Sequence, residues 1–500
     1  MTSERWDVLI QHATIYDGGG SPPVKADVAL HGERIAAVGP RLSGTARALL
    51  DATGLSLAPG FIDVHSHDDL AVLVSPEMDF KVMQGVTTDV VGNCGLGVAP
   101  YEAAAQLFRM FDPHLELPRW DGHKGYLAAI DQNPPSLNVM LLVGHNTLRL
   151  AAMGNAQREP GQAELLHMHA WLQEGLDAGA VGLSTGLIYE PGRYARTEEI
   201  IALARTVAEA GGLYTTHMRN EAGGLLDAVR EALRVGEEGG VPVQISHHKA
   251  SGKDNWGRVR DSLRLLEEAR TRGLDVTADQ YPYTSGSTVL SAIVQNNALN
   301  EQGVHGGVGR VEPHNVRFAS TPRHPEYEGK TLHELSEQFG LPAEAGARRV
   351  LEQEGLGAVV IVETMDEGDV RTVLRHPTTM IGSDGIPSSG ANPHPRLYGT
   401  FPRVLGRYAR VEGLLSLEEA VYRMTGFPAT KFRLRDRGFV RPGSYADLVL
   451  FDPATIIDTA TYAAPRQYPA GIHHVFVNGV QVVRDGRHTG ARPGRAVRRE

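Results

Sequence analysis

The chain has very little cysteine. Among 500 residues there is a single one, Cys94. One thiol cannot form an internal disulfide, which fits a reducing compartment. Long apolar runs are missing as well. No stretch approaches the ~20 apolar residues that a membrane span needs, and the opening MTSERWDVLIQHATIYDGGG has no apolar signal core. We expect a cytoplasmic protein with no membrane partner. Nor is there an excess of basic charge. Forty-nine Lys and Arg stand against 59 Asp and Glu, for a net charge of −10. That argues against a nucleic-acid partner, which calls for a basic face. Arg492, Arg495, Arg498 and Arg499 cluster at the end of the chain and read as a solvated tail.

What is present is ample core. Hydrophobic residues make up 41% and charged residues 22%, ordinary for a large globular protein. The two ends differ from the middle. WDVLIQHATIYD, ADVALHGERIAAVG and LLDATGLSLAPG near the start, with YADLVLFDP and IHHVFVNGVQVVRDG near the end, read as short strands joined by Gly-rich turns. This predicts a small β-sandwich domain built from both chain ends, residues 1–58 and 436–500.

Between them, residues 59–435 alternate strand and helix patterns. FIDVHSH, TTDVVGNCG, LNVMLLVGH, AVGLSTG, LYTTHMRNE, VPVQISHHK, DVTADQYPY and TMIGSDG are strand candidates. Amphipathic runs such as EEIIALARTVAEAG lie between several of them. Repeated strand–helix units predict an α/β fold, a (β/α)₈ TIM-type barrel, with its chemistry at the C-terminal ends of the strands. Residues 295–330, rich in Gly, Asn, Pro and His, fit neither pattern and read as a lid over the barrel mouth.

Polar residues that interrupt apolar strands at that end are then the chemical candidates. The first strand ends in His65-Ser66-His67. Residues two apart on a strand share a face, so both imidazoles can converge on one ion. The second ends in Cys94, either a buried apolar thiol or a thiolate ligand. Gly92, Gly95 and Gly97 around it leave room for close approach. The fifth ends in His217 and the sixth in His247-His248. Adjacent strand residues face opposite ways, so one of that pair faces the ion, and His247 directly follows the strand. The eighth ends in Asp384, a helix N-cap or a proton carrier. A zinc held by Cys94, His217 and His247 keeps a fourth position for water, as catalytic zinc sites do. Asp384 is placed to take the water's proton and pass it to a leaving nitrogen. His65 and His67 either bind a second, weaker ion or complete the shell and hold the oxyanion.

HxH on the first strand, His on the fifth and sixth, and Asp on the eighth resemble the amidohydrolase superfamily of metal-dependent barrels. APGFIDVHSHDD, VVGNCGLGVAP, GLSTGLIYEPG, ISHHKASG, DQYPYTSGST, MIGSDG and HPRLYGTFPR resemble the N-acyl-D-amino-acid deacylase branch. The fourth strand, AVGLSTG, carries no lysine, unlike the relatives that bridge two metals with a carboxylated lysine. The resemblance implies a zinc-dependent hydrolase releasing a free D-amino acid from its N-acyl derivative, a small-molecule substrate. Cys94, His217 and His247 would hold the tight zinc, His65 and His67 a weaker site, and Asp384 would be the acid/base. It also implies that Lys249 and Tyr281, with Ser287 nearby, grip the product's carboxylate. Tyr283 and Arg219 are alternative contacts. Rival readings are another amidohydrolase activity, on a cyclic amide, acyl dipeptide or lactone, and a barrel that serves as a non-catalytic scaffold. The oligomeric state is open.

Overall fold

The computed structural model describes residues 5–111, 116–300, 304–387 and 390–499. Eight parallel strands form one curved sheet. They are β1 (Phe61–Asp63), β2 (Val86–Val91), β3 (Asn138–Gly144), β4 (Gly182–Gly186), β5 (Leu213–His217), β6 (Val243–Ile245), β7 (Val276–Gln280) and β8 (Thr379–Ile381). Each is a run predicted from the sequence. Every residue in them is buried, as expected of parallel strands covered on both faces. The outer strands meet just past their ends. Ser66 bridges Gly385 in parallel, and the Asp384 amide donates to the His65 carbonyl at 2.7 Å. That closure brings the two ends of the barrel sequence together at its C-terminal rim.

The helices wrap outside. Leu225–Gly239 buries Leu225, Ala228, Val229, Ala232, Leu233 and Val235, a stripe at helical spacing. It stops at Gly240, whose φ of +70° suits glycine at a helix end. Gln162–Ala178 stops the same way at Gly179.

Both chain ends share a nine-stranded sheet. Arg5–Ile15 lies beside Ser56–Pro59, and that strand pairs antiparallel with Leu448–Phe451 from the far end of the sequence. Ile10, Val28, Leu448 and Phe476 belong to its core. The basic tail is solvated at Arg492 and Arg498 but ordered against the fold. Arg495 pairs with Glu33, Arg498 with Asp131 at 2.6 Å, and the Arg499 amide donates to the Gly179 carbonyl at 2.8 Å.

A third unit lies between β7 and β8. Ser285–Val289, Val359–Glu363 and Val316–Ser320 form a three-stranded antiparallel sheet. It has its own core, including Ile293, Phe318, Leu332 and Val350. The stretch 295–330 therefore contains a strand, Val316–Ser320, where the sequence shows no pattern. Residues 301–303 of that stretch lie outside the described residues.

Candidate active site

The rim of the barrel gathers the predicted residues. Cys94 Sγ lies 3.3 Å from His65 Nε2 and 3.6 Å from His247 Nε2. His247 Nε2 lies 2.8 Å from His217 Nδ1. Cys94, His217 and His247 are all buried, and their ligand atoms lie within 4.8 Å of one another. His65, His67 and Cys94 form a second such set, and His65, His247 and Asp384 a third. Three ring nitrogens and a sulfur crowded into this space cannot all be satisfied by hydrogen bonds. His217 Nε2 and His67 Nδ1 are buried with no hydrogen-bond partner. A thiolate and imidazoles gathered this closely are a donor set that suits zinc.

The backbone that presents these groups is unusual. Cys94, His247 and Asp384 have φ of +54°, +35° and +50°, left-handed values uncommon outside glycine. Each sits where a strand gives way to its loop, and such strain collects at functional sites. The glycines beside Cys94 do allow close approach. A Cβ on Gly92 would meet the Leu142 carbonyl oxygen at 2.2 Å, and one on Gly95 the Asn146 side chain at 2.3 Å. What comes close is neighbouring chain.

Several partners orient the cluster. Asp279, on β7, faces His65 Nδ1 at 3.2 Å and accepts from the His247 amide at 2.7 Å. This turns His65 Nε2 toward the sulfur, as carboxylates do for ligating imidazoles. Glu221 faces His247 Nδ1 at 3.0 Å and accepts from Lys249 Nζ at 2.5 Å. Burial would raise the Glu221 carboxyl, but Lys249, His217 and His247 hold it far below its usual range. Burial likewise opposes ionisation of Cys94, yet the imidazoles of His65, His217 and His247 hold its thiol well below the ordinary value. Asp384 Oδ1 lies 3.2 Å from His67 Nε2 and 3.5 Å from His65 Nε2. Burial would push its carboxyl up, and Arg396 together with His65 and His67 overcomes that.

These groups open into a cavity of about 650 Å³ lined by His67, Cys94, His217, His247, Lys249, Tyr281, Ser287 and Asp384. The Tyr281 hydroxyl is buried without a partner, and burial keeps it protonated, so it is a ready donor. Tyr283 does not line the cavity and packs edge-on against His394. Arg219 is committed elsewhere. Its guanidinium pairs with Glu231 at 2.9 Å and donates to the carbonyls of Arg193 and Ala195. Arg219 lies in the loop just past β5, which ends at His217. His248 is packed, with Nε2 on the Ser262 hydroxyl at 2.8 Å.

Sequence reasoning assigned no part to Glu221, Asp279 or Arg396. Glu221 and Arg396 stand inside the quoted runs LYTTHMRNE and HPRLYGTFPR, and Asp279 inside DQYPYTSGST. Each lies near a chemical residue, but nothing in the spacing shows which way it points.

A model described as the amidohydrolase family matches residues 48–483. The chain is 42% identical to a D-aminoacylase of Alcaligenes xylosoxydans xylosoxydans, covering 99% of this chain and 98% of the relative. It is 41% identical to an N-acyl-D-aspartate deacylase of the same organism, covering 98% and 95%. Its fold matches the crystal structure of an N-acyl-D-glutamate deacylase from Bordetella bronchiseptica, complexed with zinc and a phosphonate mimic of the tetrahedral intermediate. That match has a TM-score of 0.88 and 41% identity, over 99% of this chain and 100% of the other.

Proposed function

The chain belongs to the amidohydrolase family, in its N-acyl-D-amino-acid deacylase branch, and from that premise we propose that it hydrolyses N-acyl-D-amino acids to a carboxylate and a free D-amino acid. The observation that carries this reading is the meeting of Cys94, His217 and His247 with Asp384 at the floor of one cavity. Cys94, His217 and His247 would hold the tight zinc, and His65 and His67 a weaker second ion. Bound zinc supplies Lewis-acid polarisation and lowers the pKa of water.

The chain's own residues do the rest. Asp384 takes the proton of the attacking water and returns it to the departing amide nitrogen. The Arg396 guanidinium, 2.9 Å from Asp384 Oδ2, keeps that carboxylate ionised and ready to accept. His67 Nε2, close to Asp384 Oδ1, fixes its direction. Lys249, the Tyr281 hydroxyl and Ser287 grip the substrate's own carboxylate, an anion that needs a cation and directed donors. Glu221 holds the Lys249 ammonium in place at 2.5 Å, and His247 Nδ1 lies 2.8 Å from the same nitrogen. Where the carboxylate is gripped relative to the scissile amide selects the D configuration.

The test is a hydrolysis panel of matched N-acetyl-D- and N-acetyl-L-amino acids, run on protein whose metal content is measured in the same sample. We expect turnover of D-substrates and zinc near one equivalent or above. Turnover of L-substrates alone, or of none, defeats the reading.

A further inference from the structure

The relatives this chain resembles differ in the side chain their names specify: aspartate in one, glutamate in another, none in the third. Resting on the deacylase reading, we propose that the side chain accepted here is uncharged and apolar. The geometry beside the carboxylate grip points to this. Ser287 and Val289 are two apart on one strand, so they share a face. Val289 pairs with Val359 on the neighbouring strand, and Ser287 with Ile361. Val289, Val359 and Ile293 all line the cavity. The substrate carbon that bears the side chain is one bond from the carboxylate. A carboxylate held at Ser287, Lys249 and Tyr281 therefore leaves the side chain against this aliphatic wall. Ile188 and Val308 extend the wall.

The charges on the cavity wall agree. The Lys and Arg side chains lining it are Lys249 and Arg466. Lys249 is held by Glu221 and assigned to the substrate's first carboxylate. Arg466 donates to the Gly390 carbonyl at 2.7 Å and toward the Tyr398 hydroxyl. Against them stand Asp79, Glu190, Glu221 and Asp384, while burial raises the Asp69 carboxyl to about 7. The residues outside the described ranges include no Lys or Arg. A second carboxylate on the substrate would be buried against these aliphatic groups, without the partner a buried charge requires. An apolar side chain gains from the same wall.

The test compares kcat/KM of the metal-loaded enzyme for N-acetyl-D-leucine and N-acetyl-D-methionine with that for N-acetyl-D-aspartate and N-acetyl-D-glutamate. The apolar pair is expected to lead by at least about 100-fold. Equal or better turnover of either acidic substrate overturns the inference and leaves the deacylase reading standing. Turnover of no D-substrate sinks both. Val289→Arg brings a cation to the wall and should cut the leucine-to-glutamate ratio at least about tenfold. Val289→Ala, a milder change, should shift preference from leucine toward phenylalanine. Ratios unchanged in both variants remove Val289 from the side-chain wall and overturn the proposal.

Discussion

Arg396 Nη1 stands 2.9 Å from Asp384 Oδ2, with the guanidinium fully enclosed and lying over the Tyr281 ring at 4.5 Å. Nη1 has no aligned hydrogen bond, so the contact is an ion pair held by position. Arg396 thus touches both the proposed proton carrier and the proposed carboxylate donor. Its burial makes the pairing stronger than at a surface, because neither charge has water as an alternative.

Removing that guanidinium leaves Asp384 buried beside imidazoles only. Arg396→Met should lower kcat by about 10²–10³-fold, in the range of losing one preorganised charge partner. Because the ring it covers carries a carboxylate donor, KM should rise too. Steady-state kinetics on the best D-substrate read both effects. A variant with unchanged kcat would show that Arg396 serves folding alone.

Asp384 and Cys94 should separate cleanly. Asp384→Asn keeps the side-chain volume and removes the base, so zinc content should hold while kcat falls about 10²–10⁴-fold. Cys94→Ala removes a sulfur shared by two candidate ligand sets, so zinc per chain should drop. Metal analysis after desalting distinguishes them. Full zinc in Cys94→Ala takes that residue out of the ligand set.

Much of this arrangement is legible in the sequence because parallel barrel strands are buried on both faces. A polar residue ending an apolar run such as TTDVVGNC stands out for that reason. The orienting groups do not stand out. Glu221 meets Lys249 across 28 residues, and Asp279 meets His65 across 214. Their partners are set by the closure of the barrel, not by local spacing. The unit between β7 and β8 hides for a related reason. SGSTV looks polar, and its partner strand VVIVE lies some 70 residues on, so neither reads as a strand pair alone.

Beneath the site lies a buried charge cluster that the sequence also conceals. Lys81 Nζ donates to Asp63 Oδ2 at 2.5 Å and to the Ser383 hydroxyl at 2.9 Å, and lies 3.0 Å from Asp68. Asp63 in turn accepts from the Ser383 amide at 2.8 Å. Lys81 thereby ties the end of β1 to the loop that carries Asp384. Burial pushes Asp68 and Asp89 above the usual carboxylate range. Lys81→Met strips the cation from these carboxylates. It should cost roughly 3–5 kcal/mol, the penalty of breaking a buried pair. The midpoint of urea unfolding reads this, and a loss under about 1 kcal/mol would rule out a tethering role.

A pH signature should arise far from the site, at Lys431. Its side chain is 2% exposed and donates to Asp275 Oδ1 at 2.8 Å. Burial lowers its pKa to about 8, and Asp275 only partly offsets this. Below pH 8 the ammonium is charged in both folded and unfolded chains, and the fold carries the full cost of burying it. Between about 8 and the ordinary 10.5 the folded chain sheds this proton while the unfolded chain keeps it. The unfolded state then binds more protons, so this group makes stability rise with pH across that window, by up to roughly 3 kcal/mol. Other lysines and tyrosines titrate nearby, so the measurement is a difference. Urea midpoints of the parent and of Lys431→Met are compared at pH 7.5 and pH 10. Methionine has no charge to bury, so the variant should be the more stable at pH 7.5 and lose that advantage at pH 10. An advantage that is absent at pH 7.5, or that persists undiminished at pH 10, means the Asp275 contact balances the burial of Lys431.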